Sequence, residues 1–186
     1  MELTKQQLMA AMPNARVNIV CNPNFKGATI EKIVDIINQY APEFEITTPR
    51  RMAHFLAQIA HECAEFRYTE EIASGKDYEG RKDLGNTHPG DGTKYKGRGC
   101  IQLTGRANYA AYRDYCGYDV VSQPELLARP VGAIRSAMWF WQRMGLSTQA
   151  DMDAFTTITR RINGGVNGYA SRQGYLAKAK QALGVK

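Results

Sequence analysis

Helical periodicity runs through most of this 186-residue sequence and stops in one long polar segment. The clearest helical run has apolar residues at i, i+3, i+4 and i+7, namely Ile30, Ile33, Val34 and Ile37. Residues 74–105 lack such a period and are rich in Gly, Asp, Asn, Lys and Tyr. The pattern therefore predicts a mainly α fold that carries one long loop.

Capping residues and periodicity together predict seven helices. They lie at about residues 4–12, 29–41, 49–66, 106–116, 131–144, 151–162 and 170–183. Within the long loop, the sequence predicts at most a short strand or hairpin at 95–103. A loop of this length in a compact domain is usually functional, so we expect it to line a cleft.

The length suits one catalytic domain, residues 1–186, built as a single unit or as two lobes around one cleft. Such a chain can bury a substantial core without disulfide support. The cysteines show neither CxxC spacing nor clustering, which favours free thiols over a zinc site or a disulfide framework. They are Cys21, Cys63, Cys100 and Cys116.

The formal net charge of +6 attracts polyanions such as nucleic acid, anionic lipid or the acidic polymers of a bacterial wall. Nucleic acid is the weaker candidate, because no run of basic residues is interleaved with aromatics. No stretch is long and apolar enough for a membrane span. Residues 1–7 lack the pattern of a signal peptide, so we expect synthesis in a cytoplasm.

Two carboxylates nine positions apart, Glu62 and Glu71, are the leading candidates for acid–base chemistry. Glu62 flanks the apolar stripe of the helix predicted at 49–66, and partial burial favours its protonated form. Glu71 stands at a loop start, where solvent favours the ionised form. A glycosidase needs one carboxyl group in each state. On this pattern alone, Glu62 is more often explained as a solvent-exposed residue at the edge of the helix or as half of an ion pair. Glu65, on the opposite side of the same helix, is expected to face solvent.

Two polar clusters accompany this pair. Residues 95–104 alternate so that Gln102 and Thr104 share one face, although a Gly-bounded edge strand explains the pattern without any function. Residues 163–168 combine Asn and Gly, which in isolation is typical of a helix C-cap and turn.

Taken together, the motifs of this chain resemble glycoside hydrolase family 19, the chitinase class that also includes many phage endolysins. They are His61-Glu62, the Glu nine positions later, YEGR at 78–81, DLGNT at 83–87, PGDG at 89–92, YKGRGCIQLT at 95–104, NY at 108–109, WFW at 139–141 and RRINGG at 160–165. The similarity covers roughly residues 45–183 and is greatest to the short-loop phage and bacterial branch. It implies a lysozyme-like, two-lobed helical fold and inverting hydrolysis of β-1,4 bonds between N-acetylated sugars.

The resemblance also implies the catalytic residues. Glu62 matches the family's general acid, and Glu71 matches the general base of the short-loop branch. Thr104 stands where the family has the Ser or Thr that helps to hold the attacking water, and Gln102 lines the sugar site. The chain departs from the family at residues 63–65, where Cys-Ala-Glu replaces the usual Ser/Thr-Gly-Gly.

Further residues are expected to contact the substrate. Asn108 and Asn163 match asparagines that bind sugar groups, and Arg172 is similar to a late arginine that pairs with the acidic centre. His61 and Tyr95 complete the predicted binding set, with His61 also able to orient Glu62. Trp139 and Trp141 are better explained as core residues.

The predicted function is that of a lytic enzyme, a phage or prophage endolysin that cleaves peptidoglycan glycan strands after holin-type permeabilisation of the membrane. Chitin is the alternative substrate. The mechanism requires no cofactor and no metal, and we expect a monomer.

Three other classes of protein remain open at this point. A cysteine peptidase or amidase would use Cys63 or Cys100 with His61 or His88. A zinc amidase would use the three histidines, His54, His61 and His88, although no HExxH motif occurs. A carbohydrate-binding module would need no carboxylate pair.

Overall fold

The computed structural model describes residues 1–15 and 22–186, so Cys21 lies outside the described residues. The helices are α1 (Lys5–Ala11), α2 (Ile30–Tyr40), α3 (Pro49–Glu62), α4 (Asp91–Lys94), α5 (Arg106–Cys116), α6 (Pro130–Arg143), α7 (Leu146–Asp151), α8 (Phe155–Asn163) and α9 (Tyr169–Ala182). Short 3-10 turns lie at Pro23–Phe25, Lys76–Tyr78, Lys82–Leu84 and Pro124–Ala128. The prediction of a mainly α fold is confirmed.

The β-structure of the described residues consists of two isolated antiparallel bridges, in the region where a hairpin was predicted. Arg98 forms one bridge with Glu70 and the other with Leu103. The first bridge joins the segment after α3 to the long loop. The pairing is therefore too short for a strand but sufficient to fix the register of these two segments.

Helix α3 is the central helix of the core. Thr48 caps it by accepting a hydrogen bond from Arg51 N, and Pro49 occupies its first turn. Every residue from 52 to 60 is buried, including the polar His54 and Gln58. Helix α9 packs along α3 and also contacts α1. A functional group at the C-terminal end of α3 is therefore held by the best-packed element of the molecule.

Two predicted helices have different bounds in the structure. Helix α3 stops at Glu62 rather than at 66, because residues Ala64, Glu65 and Phe66 have φ values of 47°, 56° and 70°. The helix predicted at 151–162 begins only at Phe155, as α8, because Asp153 has a φ of 54°, and α7, at Leu146–Asp151, was not predicted. Local left-handed backbone explains both differences.

The long loop is held by its own polar contacts. Arg106 donates from Nη2 to Asp91 Oδ1 at 2.5 Å, and this bond is the main reason that the pKa of Asp91 falls to about 2. Glu79 accepts hydrogen bonds from the backbone N–H groups of Gly90 and Gly92, at 2.7 and 2.8 Å. These contacts give the segment a defined shape although it has little regular secondary structure.

Two smaller predictions also have outcomes. Cys63, Cys100 and Cys116 are free, as expected. Over residues 1–15 and 22–186, the helices are too short or too polar to cross a bilayer.

Candidate active site

Glu62 is the last residue of α3, and 17% of its side-chain surface is exposed. Arg172 of α9 donates from Nη2 to Glu62 Oε1 at 2.5 Å. The resemblance implied this pairing, since it matched Arg172 to a late arginine beside the acidic centre. The ion pair fixes the position of the Glu62 carboxyl between α3 and α9.

The guanidinium of Arg172 is itself fixed by three acceptors. Besides Glu62, it donates to Gln58 Oε1 at 2.6 Å and to the carbonyl oxygen of Asn167 at 3.2 Å. Gln58 in turn donates to Thr159 Oγ1 at 3.1 Å. Arg172 is only 2% exposed, so its role is to position Glu62 rather than to meet substrate from open solvent.

The backbone after Glu62 explains how this chain tolerates its departure from the family pattern. Ala64 and Glu65, which stand where the family has two glycines, both adopt the left-handed conformation that glycine favours. Glu65 is buried, not exposed as expected, and accepts hydrogen bonds from Asn14 N at 2.6 Å and Tyr175 OH at 2.7 Å. The helix-wheel expectation is wrong because the helix has already ended at this residue.

Glu71 lies in an extended segment paired with the long loop. Its N–H donates to Gly97 O at 2.9 Å, and its Oε2 accepts from Gly97 N at 3.0 Å. Its Oε1 accepts from Tyr78 OH at 3.1 Å. Burial, and then this bond, raise the pKa of Tyr78, so the phenol remains a donor. Donors on both oxygens hold Glu71 in one orientation.

Gly97 brings three of the predicted residues together. A Cβ atom on this glycine would lie 2.9 Å from Gln102 Oε1, 3.2 Å from Glu71 Oε2 and 3.3 Å from Thr104 Oγ1. Thr104 donates its hydroxyl proton to Gln102 O at 2.8 Å, which leaves its lone pairs as acceptors. Asn108 donates to Thr104 O at 2.8 Å and pins this segment. Three oxygen acceptors therefore surround one small space, an arrangement suited to orienting a water molecule.

Two other glutamates near Glu71 in the sequence, Glu70 and Glu79, are the alternative candidates for the base, and both have other partners. Glu70 pairs with Arg98 at 3.0 Å and with Lys96 at 3.4 Å. Both oxygens of Glu79 accept backbone N–H groups of the long loop. Of the three glutamates, Glu71 is the one beside the space at Gly97 that Gln102 and Thr104 also border, so Glu71 is the best-placed candidate for the base.

The remaining predicted binding residues divide into two groups. His61 lies against the start of α9, with Nδ1 3.0 Å from Ser171 Oγ, and burial, followed by the nearby Arg172, lowers its pKa. Asn163 ends α8 and donates to Asn167 O at 3.0 Å, the same carbonyl that Arg172 contacts. These residues lie on the Glu62 side, whereas Gln102, Thr104 and Asn108 lie on the Glu71 side.

Tyr95 corrects one prediction. Its side chain is fully buried, its ring packs edge-on against Tyr109 at 5.1 Å, and its hydroxyl donates to Val121 O at 3.2 Å. It offers no surface on which a sugar could stack. The Tyr95 ring belongs to the hydrophobic core and anchors the long loop to it.

Sequence reasoning assigned no role to Tyr78 or Gln58. Tyr78 was within a quoted motif, but only the structure shows its hydroxyl on Glu71. Gln58 had a readable signal, since a polar residue four positions before Glu62 interrupts an apolar run on the same helix face.

The alternative catalytic centres have no support in this geometry. Cys63 and Cys100 are fully buried, and contact with Cys63, together with burial, raises the pKa of Cys100 well above its usual value. The three histidines have separate partners, namely Asp153 for His54, Ser171 for His61 and Asp91 for His88. No cluster of three metal-ligating side chains occurs within the described ranges.

A mainly helical, lysozyme-like fold that holds two glutamates in different environments defines the class of this protein as a glycoside hydrolase. The sequence model of the family described as Chitinase class I matches residues 39–173. The chain therefore belongs to glycoside hydrolase family 19.

Individual relatives agree with this assignment. A glycosyl hydrolase family 19 domain-containing protein of Haemophilus influenzae is 40% identical over 103 residues, which are 55% of this chain and 49% of the relative. An endochitinase of Arabidopsis thaliana is 38% identical over 144 residues, covering 73% of this chain and 49% of the relative. The chain thus spans about half the length of these curated relatives.

Solved structures show the same fold. Chitinase C from Streptomyces griseus superposes with a TM-score of 0.76 at 24% identity, covering 98% of this chain and 93% of that one. A class IV chitinase from Zea mays gives a TM-score of 0.75 at 24% identity, covering 99% and 94%.

Proposed function

We propose that this glycosidase cleaves the β-1,4-linked glycan strands of bacterial peptidoglycan with inversion at the anomeric carbon, and that it acts as an endolysin. The observation that carries the proposed chemistry is the convergence of Glu71, Gln102 and Thr104 around Gly97, with Glu62 held separately by Arg172. One carboxyl group faces a water-orienting space, and the other is aligned by a cation.

In the proposed mechanism, Glu62 donates a proton to the leaving glycosidic oxygen. The carboxylate that forms is stabilised by Arg172 at 2.5 Å, so the ion pair acts where negative charge develops. Glu71 takes a proton from a water held by Thr104 and Gln102, and this water attacks the opposite face of the sugar. The two carboxyl groups must then be separated by about 6.5–9.5 Å, which stays a prediction.

Peptidoglycan is our first choice of substrate because its acidic wall polymers attract a chain of net charge +6. The proposal includes synthesis in a bacterial host and access to the wall after holin-type permeabilisation. Chitin is the second candidate, since relatives of this chain carry the name endochitinase.

The test uses purified peptidoglycan and chitin oligomers in parallel. Mass analysis of the fragments should show cleaved glycan strands and identify the sugar at the new reducing end, and NMR of the first product should show an inverted anomer. If only chitin is cleaved, chitin and not peptidoglycan is the substrate. A product with retained anomeric configuration would contradict the single-displacement mechanism. Intact glycan with released peptides would instead indicate an amidase or peptidase.

A further inference from the structure

A cavity of about 290 Å³ opens beside Glu71. It is lined by residues 22–24, residues 67–72 and Lys96. Glu71 therefore borders both the water-orienting space and this cavity. A substrate that reaches Glu71 would bring any substituent on its sugar to the cavity mouth.

Two apolar side chains at this cavity are exposed without a packing reason. Ile72 is 81% exposed, the largest value among the exposed large hydrophobic residues, and Tyr68 is 40% exposed. They sit on the same short segment, directly after the catalytic helix region. Exposed apolar groups that line one cavity together with the proposed base favour a ligand-binding surface.

Arg67 contributes a positive charge to the cavity lining. The Arg67 guanidinium lies 5.3 Å from the centre of the Tyr68 ring and has no carboxylate partner in the part of the chain that the structure describes. Lys96 is already engaged, since it donates to Glu71 O at 2.9 Å and lies 3.4 Å from Glu70. The cavity thus combines an aliphatic side chain, an aromatic ring and a guanidinium that has no carboxylate partner among the described residues.

This combination matches a peptide better than a plain sugar chain. Chitin is uncharged and bears only N-acetyl groups, whereas peptidoglycan carries, on alternate sugars, a lactyl-linked peptide with methyl groups and carboxylates. We propose that the cavity binds this stem peptide, with Ile72 and Tyr68 contacting alanine methyl groups and Arg67 pairing with a peptide carboxylate. The inference rests on the proposed function and names a recognition site within it.

The experiment compares soluble glycan strands that carry stem peptides with the same strands after an amidase has removed the peptides. The variants are Ile72→Ser and Arg67→Gln. Their matched controls are Met152→Ser, at a residue 60% exposed elsewhere, and Arg143→Gln, whose guanidinium stacks on Trp139 at 5.1 Å. Thermal unfolding confirms that all four variants are folded.

We expect Ile72→Ser and Arg67→Gln each to raise KM for peptide-bearing strands by about threefold to tenfold, with kcat unchanged. On peptide-free strands their KM should change less than about twofold, and the control variants should match the wild type on both substrates. Equal effects on the two substrates, or no effect on either, would overturn the inference alone. Failure of the wild-type enzyme to cleave either kind of strand would overturn the proposed function, and the inference with it.

Discussion

Among the described residues, Arg172 is the cation that positions the Glu62 carboxyl group. The contact explains why a late arginine belongs to the site although it lies 110 residues away in sequence. Because the same guanidinium also contacts Gln58 and Asn167, it cannot follow Glu62 if the carboxyl group moves. The proposed acid is therefore preorganised by α3 and α9 together.

The substitution Glu62→Gln should lower kcat by at least about 100-fold and leave the fold intact. An amide keeps the side-chain volume and can still accept a hydrogen bond from Arg172, but it cannot donate the proton that the leaving oxygen needs. Hydrolysis of labelled glycan oligomers, together with circular dichroism of the variant, checks this expectation. Retention of more than about a tenth of the wild-type rate would exclude Glu62 as the acid.

Separate Gln substitutions at residues 70, 71 and 79 should distinguish the base from its neighbours. Glu71→Gln should abolish activity at unchanged thermal stability, because its oxygens meet Tyr78, Gly97 and the water-orienting space. Glu70→Gln should keep activity and weaken the contact with Arg98. Glu79→Gln should keep activity and lower stability through the long loop. If Glu71→Gln stays active while Glu70→Gln or Glu79→Gln is inactive, the general base is not Glu71 but the residue whose variant is inactive.

At the scale of elements, the turn after α3 carries backbone strain that its sequence does not relieve. Three consecutive non-glycine residues have positive φ there, and the family pattern supplies glycine at two of those positions. The buried contacts of Glu65 with Asn14 and Tyr175 offset part of this cost. They also tie the end of the catalytic helix to the segment after α1 and to α9.

Ala64→Gly should therefore stabilise the protein by about 0.5–1 kcal/mol, because the strain relieved exceeds the added entropy of the unfolded chain. Ala64 is exposed, so no packing is lost. The matched control is Ala73→Gly, at an exposed residue outside the positive-φ set, which should destabilise by about 0.4–1 kcal/mol. Denaturant unfolding measures both changes, and destabilisation by Ala64→Gly would contradict the strain argument.

The contact of α3 with the α7–α8 connection should make stability depend on pH. His54 is buried with its Nε2 2.7 Å from Asp153 Oδ1, and its Nδ1 has no hydrogen-bond partner within residues 1–15 and 22–186. Burial lowers the pKa of His54 below 6.5, and Lys180 and Arg50 act in the same direction while Asp153 opposes them. The unfolded chain then binds more protons than the native one, so stability is complete above pH 6.5 and falls as pH decreases below it.

We expect His54→Gln to reduce the loss of unfolding free energy between pH 7 and pH 5.5 relative to the wild type. Part of the loss should remain, because the pKa of His61 is lowered as well. The lowered pKa of Asp153, due first to Lys180, affects stability only below this window. Urea unfolding at several pH values measures the slope, and an identical slope in the variant would remove His54 from the explanation.

The sequence predicted helices better than it predicted their ends. Periodicity and caps located α2 and α5 closely, since both depend on local residues. The stop at Glu62 was missed because Cys63 and Phe66 continue the apolar stripe as buried residues after the helix has ended. An apolar stripe in the sequence indicates which residues are buried, and residues remain buried in a turn that lies inside the core.

The site was partly predictable for a similar reason. Motif order predicted Glu71, Gln102 and Thr104 as site residues. Their proximity at Gly97 depends on the bridge between Glu70 and Arg98, and a pairing of only two residues leaves no pattern in a sequence. Tyr95 was misassigned because a tyrosine in a glycine-rich polar loop looks exposed. Its burial follows from long-range packing against Tyr109.

At the scale of the whole molecule, the proposed endolysin activity predicts that the net charge of +6 governs the encounter with the cell wall rather than the chemical step. Attraction between exposed charges is screened beyond about 8 Å at physiological ionic strength, so it acts on approach and weakens in salt. We expect lysis of whole cell walls to slow by at least about threefold between dilute buffer and half-molar salt. Hydrolysis of a neutral chitin oligomer should change little over the same range, because such a substrate has no charge to attract. The comparison separates capture from catalysis: equal salt sensitivity on both substrates would place the effect in the enzyme itself, and a lysis rate independent of salt would remove electrostatic capture from the mechanism.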